Sequence, residues 1–259
     1  MLSAKNITYK TGGKTLLDDV SVYFEAGKLN LIIGPNGAGK STLIKVICNQ
    51  LQPDGTGVVS YGGKNIYTLS IADQARIRSV LSQNIDVAFP LTVAEVVMMG
   101  RYPHFTGRPA QKDKTACEEA LLFFDLSEMS GRNYMSLSGG EKQRVHFARV
   151  LAQIWYPLKD SCRYLILDEP LTFLDIRYQI DFMQKIVELL KNKDIVVIGV
   201  VHDLNLAARF ADNITLLHQG KVLADGDKHK VLSKQNIKTA YHLDTIIHYE
   251  NESMHLYFQ

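Results

Sequence analysis

The residues most suited to chemistry lie in one run, Gly34-Pro35-Asn36-Gly37-Ala38-Gly39-Lys40-Ser41, which fits the pattern G-x-x-x-x-G-K-[ST]. Glycines without a Cβ let backbone N–H groups turn inward around phosphate oxygens. Lys40 is placed to reach the β- and γ-phosphates as a point charge, and the Ser41 hydroxyl is a Mg²⁺ ligand in such loops. A helix expected to begin near Ser41 adds its positive N-terminal end, and Thr42 follows in reach of the α-phosphate. The run stands after an apolar strand-like segment and before a helical one, the context that a phosphate cradle requires.

A second group is acidic. Tyr164-Leu165-Ile166-Leu167-Asp168-Glu169 is an apolar strand pattern that ends in two carboxylates, where a parallel α/β sheet places its reactive groups. Asp168 is read as the Mg²⁺ ligand and Glu169 as the general base that polarises the attacking water. Alone, the pair before Pro170 would read as an acidic turn; with a phosphate cradle upstream, the catalytic reading takes precedence.

The third group is Leu137-Ser138-Gly139-Gly140-Glu141-Lys142-Gln143-Arg144. Ser138, Gly139 and Gly140 put a hydroxyl and exposed amides at a positive helix end, a second anion site. Within one chain this tip is not expected to reach a nucleotide bound at Lys40. A head-to-tail dimer of twofold symmetry, in which each tip closes on the partner's nucleotide, solves that problem.

The elements that must position these residues alternate between strand and helix, which indicates an α/β fold with a mainly parallel sheet and an antiparallel N-terminal portion. Leu2–Tyr9, Ser21–Phe24, Lys28–Ile33 and Gly57–Tyr61 read as strands, with a Gly12-Gly13 turn and a Pro53–Gly55 turn. Helical patterns dominate from Ile85 to Ala152, namely Val93–Met99, Lys112–Phe124 and Gly140–Gln153. The expected division is one domain, with residues 1–84 and 153–259 as the α/β core and 85–152 as an inserted helical subdomain. Tyr164–Leu167 and Ile195–Val201 are nearly continuous apolar runs suited to strands covered on both faces, separated by a helix over Tyr178–Leu190. A hairpin-like pair at Leu216–His218 and Lys221–Ala224 precedes a small C-terminal helix. The tail Leu256-Tyr257-Phe258-Gln259 reads either as a protease-tag remnant or as part of a terminal strand over Ser253–Phe258.

Composition sets bounds. At 259 residues with 46% hydrophobic and 22% charged, the chain has the make-up of a globular protein with a sizeable core. Net charge is +2, from 29 basic and 27 acidic residues, which argues against a nucleic-acid-coating surface. The apolar run Ile195–Val201 is far short of the ~20 residues of a membrane span. Met1–Tyr9 has no apolar signal core, so the expected compartment is the one of synthesis. Cys48, Cys117 and Cys162 are scattered and read as core thiols in a reducing environment.

With these three motifs in this order, the chain resembles the ABC ATPase family over nearly its whole length. The resemblance implies ATP and Mg²⁺ as cofactors and assigns further residues. Gln83, in Val80-Leu81-Ser82-Gln83, matches the glutamine that contacts Mg²⁺ and water and links core to helical insert. Leu174-Asp175 matches the loop that communicates across the dimer, and His202 matches the switch histidine that bonds the γ-phosphate and orients Glu169. Tyr9 stands where the family stacks an aromatic ring on adenine. One departure is the loop Glu169-Pro170-Leu171-Thr172-Phe173-Leu174-Asp175, where many relatives read Glu-Pro-Thr-Ser-Ala-Leu-Asp. Leu171 and Phe173 there alter loop packing and leave the carboxylates untouched.

The resemblance also implies partners: a homodimer, two transmembrane permease subunits, and a periplasmic or surface substrate-binding protein, with the chain peripheral on the cytoplasmic face of the membrane. Phe89-Pro90-Leu91-Thr92-Val93 followed by Met98-Met99-Gly100-Arg101-Tyr102-Pro103-His104 is similar to the ATPases of importers for iron chelates, heme and vitamin B12. Val96, Val97, Met98 and Met99 would offer an apolar groove to a permease helix. Arg149–Trp155 and the Tyr156–Arg163 insert resemble the hemin-import branch, whereas Phe173-Leu174-Asp175-Ile176 is also similar to the siderophore branch. Heme is the favoured cargo, then a ferric siderophore, then B12. A soluble, non-transport ABC ATPase is the rival of another class, but the chain has neither a long coiled-coil insertion nor a second cassette. A dead-site homologue would lack one of Lys40, Asp168 and Glu169, all of which are present.

Overall fold

The computed structural model describes residues 1–82, 89–159, 161–172, 174–191, 193–251 and 253–259. In chain order the regular elements begin with β1 (Leu2–Thr11), β2 (Lys14–Phe24), β3 (Leu29–Ile33), α1 (Lys40–Ile47), β4 (Val58–Tyr61) and β5 (Lys64–Asn65). Next come α2 (Ile71–Ile77), β6 (Arg78–Leu81), α3 (Val93–Met98), α4 (Gln111–Phe123), α5 (Gly139–Gln153), β7 (Arg163–Asp168) and α6 (Ile176–Leu190). The chain continues through β8 (Ile195–Val200), α7 (Leu204–Phe210), β9 (Asn213–His218) and β10 (Lys221–Asp227). It ends with α8 (Lys228–Val231), α9 (Lys234–Tyr241), β11 (Thr245–Glu250) and β12 (Ser253–Phe258). Two compact units result, one from residues 1–69 with 190–259 and one from 70–189.

In the first unit β1 pairs antiparallel with β2 and with β4. The expected Gly12-Gly13 turn closes the β1–β2 hairpin, and both glycines have positive φ, 54° and 75°, as a tight primed turn demands. The strand sensed at Ser21–Phe24 is the end of a longer one. The second sheet of this unit is parallel at its centre: β3 runs parallel to β8 and to β9, and β9 turns back into β10. All five residues of β3 and all six of β8 are buried, which is why their sequences read as unbroken apolar runs rather than alternations. Ser253–Phe258 forms β12, paired with β11 from Thr245↔Phe258 to Glu250↔Ser253, so the tail is a strand of the fold.

In the second unit β6 and β7 pair in parallel, and helices supply the rest. Thr92 and Ser138 each open a helix with a reciprocal capping box, to Glu95 and Glu141 respectively, so the starts of α3 and α5 are fixed by local chemistry. Behind α5 and α6 lies an aromatic core. Phe147 stacks on Phe182 with ring centroids 3.8 Å apart and planes 19° apart, and Phe124 packs against both. Both Phe147 and Phe182 are buried.

This stack joins the motif-bearing helix to α6, so Phe147→Ala is expected to cost about 3–5 kcal/mol of unfolding free energy, as large-to-small aromatic changes in cores do. A shifted urea midpoint at unchanged slope is the readout; a loss under about 1 kcal/mol would mean that the site collapses to refill the void.

Candidate nucleotide site

The expected site residues fall in two sets, one in each unit. In the first, β3 delivers the chain into the phosphate loop at Gly34 and α1 takes it up at Lys40. Three loop glycines have positive φ: Gly34 at 150°, Gly37 at 78° and Gly39 at 103°. Space is as restrictive as torsion. A Cβ on Gly34 would lie 2.3 Å from the Leu217 carbonyl oxygen, and one on Gly39 would lie 2.7 Å from that of Leu16. Nothing comes within 4 Å of a Cβ on Gly37, which is exposed at the tip with Asn36. The loop is tied down by backbone hydrogen bonds from Ala38 N to Pro35 O (3.2 Å) and from Gly220 N to Ala38 O (3.1 Å).

Lys40 is only 6% exposed, and its ammonium donates to Gly34 O at 2.7 Å and Pro35 O at 3.0 Å. The cation is thereby folded over the loop. The α1 helix starts at Gly39, which has no side chain with which to cap it. The positive end of α1 thus meets the loop without a side-chain cap, the arrangement that favours phosphate. Ser41 and Thr42 are half-buried in its first turn. His202 follows β8 immediately: Ile32 pairs with Val200, and Val201 N donates to Ile32 O at 3.3 Å, so the exposed imidazole emerges beside the strand that feeds the loop. Tyr9 is half-exposed on β1, opposite Leu17 of β2.

In the second unit all six residues of β7 are buried up to Asp168, and Glu169 follows with φ of 51°. A left-handed conformation is uncommon for a glutamate and is typical of strained functional positions. The segment after it is pinned to α5: Gln143 Nε2 donates to Pro170 O at 2.9 Å. Gln179 of α6 donates to Leu174 O at 3.0 Å. Asp175 is exposed and caps α6, its Oδ1 accepting from Tyr178 N at 3.0 Å. At the tip of α5, Ser138 Oγ donates to Glu141 Oε2 at 2.8 Å and accepts from Glu141 N at 3.3 Å. The Ser138 backbone N–H, donating to Glu141 Oε2 at 2.7 Å, and after it the Ser138 hydroxyl hold the Glu141 carboxyl below the usual carboxylate range. Gly139 is exposed and Gly140 lies 3.8 Å, at its missing Cβ, from Leu174. Gln83 and Phe173 lie outside the described residues.

Two residues with a place at the site had no role in the sequence reading. Gln143 stood within the motif, but only the fold reveals that it carries the loop after Glu169. Tyr241, at the end of α9, is hydrogen-bonded to the Gly34 backbone, and burial pushes its phenol up to about 12. No local signal marks a contact spanning so much of the chain.

A family model for ABC transporters matches residues 17–172. This chain belongs to the ABC transporter family. Among curated relatives, the hemin import ATP-binding protein HmuV of Escherichia coli O157:H7 is 41% identical over 247 residues, covering 95% of this chain and 94% of that protein. The same-named protein of Bordetella avium (strain 197N) is 42% identical over 240 residues, covering 93% and 91%. Among solved structures, the ADP conformation of MJ1267, an ATP-binding cassette of an ABC transporter, superposes with a TM-score of 0.79 at 25% identity over 93% of this chain and 98% of that one. MJ0796, a bacterial ABC transporter cassette solved as a dimer, gives 0.74 at 27% identity over 88% and 99%. The fold is thus that of the ABC cassette, an α/β core with a parallel sheet and antiparallel N-terminal strands. No helix among the described residues is long and apolar enough to cross a membrane, so the ABC chain described here carries no helical span in those residues.

The glycines of this ABC loop differ in what they tolerate. Gly37→Ala is expected to cost only the left-handed backbone strain, about 1–2 kcal/mol. Gly39→Ala adds a backbone clash at 2.7 Å and should cost clearly more, with weaker nucleotide binding. Equal urea midpoints for the two variants would refute this reading of the cradle.

Proposed function

We propose that this chain is the ATP-hydrolysing subunit of an ABC importer for hemin, acting as a homodimer docked on two permease subunits at the cytoplasmic face of the membrane. The observation that carries the ATPase assignment is the uncapped helix tip with Lys40 folded over a loop of positive-φ glycines. Hemin as cargo is supported by the hemin-import ATP-binding proteins that match 93–95% of the chain. A substrate-binding protein outside the membrane completes such a system, and the cargo itself would pass through the permease without meeting this subunit. The proposed division of labour keeps residues 1–84 and 153–259 as the catalytic core and 85–152 as the helical insert.

In this reading Gly34–Ser41 and Thr42 hold the phosphates of ATP, Tyr9 stacks on the adenine, and Ser138, Gly139 and Gly140 of the partner copy close over the γ-phosphate. Asp175 lies at the dimer seam. Glu169 accepts the proton of the attacking water, and His202 orients that carboxylate. Gln83 links core to insert.

The donors available to a metal are hard oxygens, the Ser41 hydroxyl and the Asp168 carboxylate, with the Gln83 amide oxygen. That chemistry suits Mg²⁺. Mg²⁺ held by so few protein oxygens would take water and nucleotide phosphates as its further ligands. When bound, it neutralises charge on the β- and γ-phosphates.

Glu169→Gln keeps the shape and removes the base, so hydrolysis should fall by about 10²–10⁴-fold. ATP should then trap a dimer visible by light scattering; wild-type turnover would disprove the assignment. Lys40→Ala should abolish ATP binding. For the cargo, ATPase stimulation of the assembled transporter by a hemin-loaded binding protein is expected, and stimulation by a ferric-siderophore-loaded one alone would replace hemin with that cargo.

A further inference from the structure

The segment Met99–His104 has no part in the chemistry described so far, yet its polar side chains and backbone bond to α2, α4 and α5. It is a run of 3₁₀ turns that crosses the far end of α5. The crossing is at backbone contact: a Cβ on Gly100 would lie 2.1 Å from the Arg149 carbonyl oxygen. The next residue, Arg101, is only 3% exposed. Its Nη1 donates to Ala152 O at 2.8 Å and to Gln153 O at 3.2 Å. His104 Nε2 lies 2.6 Å from the same Gln153 oxygen. Burial, and after it the Arg101 charge, lowers the His104 pKa, which favours a neutral ring donating Nε2–H.

These bonds satisfy carbonyls that an α-helix leaves open at its C-terminus. The arginine is in turn held by Asp113 of α4, whose Oδ1 lies 3.0 Å from both Nε and Nη2. The Gln153 side chain extends the brace: its Nε2 donates to Ala75 O at 2.7 Å and Arg78 O at 2.9 Å, and its Oε1 accepts from Ser79 Oγ at 3.0 Å. Arg76 Nε closes the ring on Pro103 O at 3.0 Å.

A buried ion pair is a poor means of adding stability, since desolvation consumes most of the Coulomb gain. What it supplies is a fixed register. Here the register is that of α5, a helix of 15 residues and therefore a rod of about 22 Å whose other end is Ser138. We infer that Arg101 and His104 are positioning residues for ATP hydrolysis, setting the far end of α5 and through it the place of the Ser138 tip. Of the four residues expected to line a groove beside this segment, Val96 and Val97 are buried core and Met98 and Met99 are half-buried. The inference rests on the proposed reading in which Ser138 engages the partner's nucleotide.

The test uses the full chain. Arg101→Met, His104→Leu and His104→Gln are made alone and with Glu169→Gln, and three quantities are measured: affinity for a fluorescent ATP analogue in dilute monomer, kcat, and ATP-driven dimerisation of the Glu169→Gln forms. Arg101→Met and His104→Leu should leave monomer affinity within about twofold while kcat falls and dimer dissociation rises by about tenfold or more, the scale of a misplaced contact group. His104→Gln, whose amide can donate to Gln153 O, should restore most of the loss. Unchanged kcat and dimerisation, even with a lowered Tm, overturn the inference, as does a His104→Gln no better than His104→Leu. Should Arg101→Met fail to fold, the half-buried His104 pair decides. If Glu169→Gln itself does not dimerise with ATP, the dimer reading fails instead, and the kcat comparison alone judges the inference.

Discussion

Between the end of β3 and the start of α1 the backbone runs so close to the carbonyls of Leu217 and Leu16 that no side chain fits at Gly34 or Gly39. This constraint organises the first unit. The carbonyls that crowd the loop belong to β9 and β2, so the cradle has its shape only where those strands are already in place. The parallel ladder of β3 with β8 then sets where His202 leaves the sheet, through Val201 N on Ile32 O. The phosphate loop and the position of His202 are thus two products of one register. Apolar runs buried on both faces do not fix that register by themselves; the buried Asn30 of β3 pins it, its amide donating to Val197 O of β8 at 3.0 Å.

The second unit solves a similar problem with side-chain amides instead of missing ones. Glu169 turns out of β7 in a left-handed conformation that glycine would adopt more cheaply. Its persistence there needs support from outside the turn. Gln143 and Gln179 supply it, one from α5 and one from α6, by donating to carbonyls on either side of the loop. The aromatic stack of Phe147 on Phe182 holds the two donating helices together. The loop after the carboxylates and the helix that carries Ser138 are therefore parts of one packed body.

How much of this could be read beforehand depended on whether the signal was local. Buried strands announce themselves by unbroken apolar runs, and β7 and β8 stand where Tyr164–Leu167 and Ile195–Val201 indicated. The α5 helix starts one residue from the expected position because Ser138 and Glu141, the reciprocal cap, are both written in the sequence. The phosphate loop was legible for the same reason, its glycines being an irreplaceable residue type at fixed spacing. What escaped was set at long range. The β2 strand extends back to Lys14 because pairing with β1 overrides the weak alternation of its first half. Of the β11–β12 hairpin only the strand over Ser253–Phe258 was among the readings, since β11 has mixed exposure and no clean period. The run Gly100–His104 was visible as a motif, but its meaning lay in carbonyls of Ala152 and Gln153, about fifty positions away.

The tip of α5 differs from that of α1 in one instructive respect. At α1 the capping residue is Gly39, which has no side chain to offer the helix amides. At α5 the Ser138 hydroxyl and the Glu141 carboxylate satisfy one another and the backbone N–H groups of Glu141 and Ser138. A carboxylate at this end already answers the helix dipole. The tip alone is therefore a weaker anion site than its glycines imply, because an incoming phosphate meets a negative group and an occupied hydroxyl. In the proposed dimer the Ser138 hydroxyl would have to turn from Glu141 to the γ-phosphate, a rearrangement that only a triphosphate held firmly on the other copy, by Lys40 and the α1 amides, could sustain. In that proposed dimer, the asymmetry between a glycine-capped tip and a self-capped one would set the order of events: nucleotide would bind first at the loop, and the second tip would join only as the two copies close.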